Sequence, residues 1–88
     1  MSEQTEQAGR LIQGLWLPFF EQGAALEIRR DCPGPGHWTV TKRWPNNAAR
    51  EVEYVFDDAK AERRAWRQYY LCEAEIARER AERFYGEE

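Results

Sequence analysis

The stretch DDAKAERRAWRQYYLCEAEIARERAERFYG, residues Asp57 to Gly86, decides the fold. Its apolar residues Ala65, Tyr69, Cys72 and Ile76 recur at three- and four-residue spacing, which places them on one stripe of a long helix, opposite Lys60, Arg63, Arg64 and Arg67. Asp57 and Asp58 are N-cap candidates and put negative charge where the helix dipole favours it. The charge then changes sign along the rod: cations dominate up to Arg67, and carboxylates (Glu73, Glu75, Glu79, Glu82, Glu87, Glu88) dominate from Glu73 onward. After Ala77 the apolar stripe is interrupted by Arg80 and Arg83, so residues 78–88 are expected to project as a helix end held by pairs such as Glu79 with Arg83.

A one-sided helix needs an apolar surface to lie on, and the residues before it supply one. Three short alternating runs, Leu26 and Ile28, then Trp38, Val40 and Trp44, then Val52, Tyr54 and Phe56, read as strands. The breakers Cys32 to Gly36 (CPGPG) and Pro45 to Asn47 (PNN) between them predict an antiparallel meander. One sheet face collects the aromatics. The other carries Glu27, Arg29, Thr39, Thr41, Arg43, Glu51, Glu53 and Val55 and reads as a solvated surface.

Further upstream, Ala8, Leu11, Ile12, Leu15, Trp16, Phe19 and Phe20 also fall at helical spacing, which predicts an amphipathic helix from about Thr5 to Gln22 with Gly23 as its stop. Gly9 and Gly14 weaken such a helix by roughly 1 kcal/mol each, and Pro18 should kink it, leaving Leu17 off the buried stripe. The expected fold is therefore α+β: one two-layer domain over residues 1–88, with helix, three-stranded antiparallel meander and long C-terminal helix in that order, and with residues 1–4 flexible.

Composition limits what such a domain does. Eighty-eight residues are enough for one modest core, and too few to build an enzyme pocket and its supporting shell easily. A formal net charge of −3 disfavours generic nucleic-acid affinity and slightly favours basic partners. No catalytic or nucleotide motif is present, and His37, the one histidine, has no motif partner to make it a general base. Cys32, His37 and Cys72 fall short of a four-ligand zinc set, so neither a metal nor another cofactor is expected. The acidic N-terminus lacks a signal-like apolar run and nothing approaches a membrane span, so a cytoplasmic protein with reduced thiols and no membrane partner is expected.

The Gly34-Pro35-Gly36-His37 loop before the second expected strand, together with the basic cluster Arg63-Arg64-Ala65-Trp66-Arg67 early in the last helix, resembles the double-stranded RNA-binding domain, whose topology is also helix, three-stranded meander, helix. The resemblance implies a duplex-RNA surface in which His37 reaches a minor groove and Lys60, Arg63, Arg64 and Arg67 meet phosphates. Trp66 stands where that family has a small residue, and Phe56-Asp57-Asp58 where it has Gly-x-Gly.

Acidity, small size and aromatic richness together favour a different reading: a non-enzymatic regulator or inhibitor that binds a host or cognate protein, by analogy with the compact inhibitors of phages and mobile elements such as anti-CRISPR proteins. Trp44, Tyr70 and Phe84 lie near element ends and strain the capacity of a small interior, so an apolar patch that binds a partner or forms a homodimer is expected. Leu17, Phe84 and Tyr85 are its candidate anchors. Glu79 and Glu82 are candidates for meeting a basic surface on the partner.

Overall fold

The meander read from the alternating runs forms, with one strand more than expected. The computed structural model describes residues 9–17, 20, 23–44 and 47–85, the side chains of 47–49 and 83–85 excepted. Within them the elements are β1 (Arg10–Leu15), β2 (Leu26–Arg30), β3 (Trp38–Trp44), β4 (Asn47–Phe56) and α1 (Ala61–Tyr85). The strands lie side by side in chain order, each antiparallel to the next. α1 packs across one face of the sheet against β2, β3 and β4. The result is a two-layer α+β domain measuring 48 × 32 × 18 Å.

The correction falls on the first expected element: residues 10–15 are a strand rather than part of a helix. At Gly9 the backbone has φ +100°, and a Cβ there would come within 2.5 Å of the Cys32 Cβ, so the chain enters β1 through a conformation and a close approach that need glycine. Pairing with β2 then satisfies backbone groups that a glycine-weakened helix would hold poorly. The helical spacing is explained by a bulge between Leu11 and Gln13, because Leu11 pairs with Arg29 while Gln13 pairs with Ile28. One extra residue, Ile12, shifts the phase of the strand and brings apolar residues together as a helix would.

The layer between sheet and helix is filled by Leu26 and Ile28 of β2, Trp38 and Val40 of β3, and Ala61, Ala65, Tyr69, Cys72 and Ile76 of α1, with Leu15, Tyr54, Phe56 and Trp66 packed against them. The helix stripe has the phase its spacing predicts. Leu17 differs from expectation: at 9% exposure it belongs to the core with Phe20 and Ala25, because the chain after β1 folds back onto the domain, and Leu17 O accepts the Phe20 N–H. Lys42, on the helix side of β3, is only 3% exposed; its Nζ donates to Glu75 Oε1 at 2.8 Å and lies 4.4 Å from the centre of the Trp44 ring.

Asp58 caps α1 as expected, accepting the Lys60 N–H at its Oδ1 and the Arg64 guanidinium at its Oδ2. Beyond Ile76 no side chain of α1 is buried among the described residues. Residues 1–4 lie outside the description.

Candidate protein-binding surface

The sheet face away from α1 carries the most exposed aromatic residue of the described chain. Leu15 packs on the core opposite Leu26, and Gly14 before it pairs with Glu27, so Gly14 presents its absent side chain to the open face. The Trp16 ring occupies that space: a Cβ on Gly14 would meet its Cη2 at 2.7 Å. The indole lies over the strand backbone with 58% of the residue exposed. Leu11, opposite Arg29, and Val55, opposite Thr39, share this face and are also exposed, while Ile12 protrudes from the bulge of the β1 edge.

A chain of ion pairs crosses the same face. Arg29 Nε donates to Glu27 Oε1 at 3.0 Å, Glu27 Oε2 accepts from Arg43 Nη1 at 2.7 Å, and Arg43 Nε donates to Glu51 Oε1 at 3.2 Å. Arg43 also donates to the Ala24 carbonyl at 2.9 Å, pinning the loop before β2. Burial opposes the charge on Arg43, but Glu27 and Glu51 outweigh it and hold the guanidinium above its ordinary pKa. This face is less solvated than its sequence suggests, since Glu27, Thr39 and Thr41 are buried. β1 turns β2 into an inner strand, which shields Glu27. Glu53, opposite Thr41, remains exposed.

The residues named from sequence fall in several places. Leu17 is interior and presents no surface to a partner. Glu79 and Glu82 are exposed on α1, with Glu82 Oε2 3.9 Å from Arg78 Nε, and the Phe84 and Tyr85 side chains lie outside the description. Lys60, just before α1, and Arg63, Arg64 and Arg67, on its first turns, are exposed. Because Trp38 pairs with Phe56, the His37 loop and the start of α1 share one end of the sheet, with His37 Nε2 3.9 Å from Asp57 Oδ2.

That end is acidic as well as basic. Asp58 engages Arg64, whose guanidinium also lies 5.0 Å from the Phe56 ring centre. What desolvation Asp58 experiences raises its pKa, and the Lys60 N–H and Arg64 override it, leaving the carboxyl below its ordinary 3.8. His37 Nδ1 is turned toward its own loop carbonyls, Gly34 O and Pro35 O.

Trp16, like Leu11 and Ile12, stood on the stripe that the sequence reading buried, and is exposed. The signal for its exposure was Gly14 two residues earlier, a gap on the strand that an indole fills. Trp44, by contrast, is half-buried with Lys42 and Arg50 against its ring, so its faces are occupied by cations. Cys32 and Cys72 are both free thiols. Among the described residues no three His, Cys, Asp or Glu side chains gather as a metal site, and no helix is long and apolar enough to cross a membrane. Comparison of the chain with protein-family models, with curated proteins and with solved structures finds no match.

Proposed function

We propose that this protein is a small non-enzymatic binding module, a regulator or inhibitor that docks a partner protein through the open face of its sheet. The observation that carries the reading is Trp16, an exposed indole held in place over Gly14 beside a rim of arginines and carboxylates. A rigid aromatic anchor loses little conformational freedom on binding, and Trp with nearby Arg is the usual composition of an energetic hot spot. The partner that fits presents an apolar pocket for the indole and basic side chains toward Glu51 and Glu53. Inhibitor rather than scaffold is an inference from size, acidity and aromatic content, by analogy with inhibitors encoded by phages and mobile elements.

The rival reading, duplex RNA bound by His37, Lys60, Arg63, Arg64 and Arg67, is favoured by one observation, the clustering of that loop and helix start at one end of the sheet. Asp57 and Asp58 at the same end weaken it. One experiment separates the two. Wild type, Trp16→Ala and an Arg63/Arg64/Arg67→Gln triple variant are used to retain proteins from host extract and to titrate duplex RNA at several salt concentrations. The proposed function requires proteins retained by wild type and by the triple variant but lost with Trp16→Ala, while the unfolding transition persists. Retention indifferent to Trp16 overturns it. Salt-sensitive RNA binding abolished by the triple variant establishes the rival.

A further inference from the structure

The apolar surface of α1 extends beyond the stripe that the sheet covers. Beside the buried stripe, on the flank toward β1, run Trp66, Tyr70, Ala74 and Ala77, and Tyr70 stacks on Trp66 at 5.7 Å between ring centres yet is 54% exposed. Between this flank and Leu15 at the end of β1 lies a groove of about 400 Å³, with Tyr70, Ala74 and Ala77 in its wall and Glu73 and Arg80 beside them. Among the described residues β1 is an edge strand paired only to β2, with no strand on its outer side.

The two charges identify the occupant. Glu73 and Arg80 are seven residues apart, two helical turns or about 10 Å along the same flank. Neither makes an ion pair among the described residues. A two-fold axis crossing α1 between Ile76 and Ala77 sets Glu73 of one copy against Arg80 of the other, and does so twice. A parallel copy would instead oppose like charges. Ala74 and Ala77, at the centre of such a crossing, let the two helix backbones approach closely, and Tyr70 is covered at each end.

We infer that the β1–α1 groove is the self-association surface of this protein, occupied by a second copy related by a two-fold axis with the two α1 helices antiparallel. A surface complementary to itself about a two-fold axis is what an isologous dimer requires. This interface lies apart from the open sheet face, so its failure leaves the Trp16 surface untouched, and failure there leaves this one intact.

The test is a charge exchange read by sedimentation equilibrium across a concentration series. Wild type is expected to show a species of twice the 10.5 kDa chain mass. Glu73→Arg and Arg80→Glu should each weaken the dimer at least about tenfold by opposing like charges. The double variant Glu73→Arg/Arg80→Glu should recover it, and recovery also shows that the single variants had not simply unfolded. Tyr70→Ser, at an exposed position, should weaken the dimer while leaving the monomer folded. A wild type that stays monomeric throughout the series overturns the inference. So does a dimer indifferent to the single changes, or one that the double variant does not restore.

Discussion

Tyr69 is the side chain through which α1 reads the edge of the sheet. Its ring is almost fully buried and makes edge contacts with Trp66 and Tyr70, with Gln13 of β1 close enough to its hydroxyl to affect its titration. Burial raises its pKa above the ordinary 10.0; neighbouring Gln13 works the other way, and Glu73 and Tyr70 add to the rise. The folded state therefore keeps the phenol proton at a pH where the unfolded chain has released it. This contribution is intact below about pH 10 and is lost as pH rises through the folded value. Tyr69→Phe is expected to cost about 0.5–1.5 kcal/mol at neutral pH and to flatten the alkaline fall of the unfolding midpoint, both measured by denaturant titration across pH 8–11. An alkaline profile identical to wild type would show that Tyr69 is not the group titrating. At this same scale the sequence was only partly legible: the burial of Tyr69 followed from its stripe, whereas the exposure of Trp16 turned on a missing Cβ at Gly14.

Between elements, the join of β3 to α1 is polar where its neighbours are apolar. Lys42 occupies a helix-facing position that alternation reserves for a hydrophobe, and its ammonium is held by Glu75, itself 62% exposed, and by the Trp44 ring. Removing the carboxylate leaves a buried charge, whereas removing the charge leaves a position that an apolar side chain can fill. Glu75→Gln is thus expected to destabilise by about 1–2 kcal/mol, less than a fully buried pair because water screens Glu75, and Lys42→Met to be neutral or stabilising. Calorimetric melting of the two variants checks this, and a larger loss in Lys42→Met than in Glu75→Gln would refute it. The pattern predicted β2, β3, β4 and α1 because each has a period that its own residues carry. β1 escaped because its bulge breaks the alternation, and because what makes it a strand is the partner β2, which begins only at Leu26.

For the whole molecule, one core joins one sheet face to the first four turns of α1, and it ends at Ile76. Ile76→Ala should cost about 2–5 kcal/mol, since the residue is 2% exposed and belongs to the core cluster. Ending the chain at Ala77 should cost less than that single substitution and keep a cooperative unfolding transition, because no side chain of α1 beyond Ile76 is buried among the described residues. It should also abolish self-association, since Arg80 is lost. Comparing the two variants by chemical denaturation tests the division. A truncated chain that fails to fold would make the helix end part of the core.

The sequence by itself determined the α+β class, the antiparallel meander, the two faces of β2 to β4, an aspartate cap at Asp57 or Asp58 and the phase of α1. These follow from local spacing and turn chemistry, which neighbouring residues impose on one another. Only the tertiary structure decided that residues 10–15 form a strand, that Leu17 is interior while Trp16 lies open, and that α1, packed on β2, β3 and β4, leaves a groove beside Leu15 of β1. Each depends on contacts between residues distant in the chain, where the pairing of β1 with β2 outweighed a helical spacing already weakened by glycine.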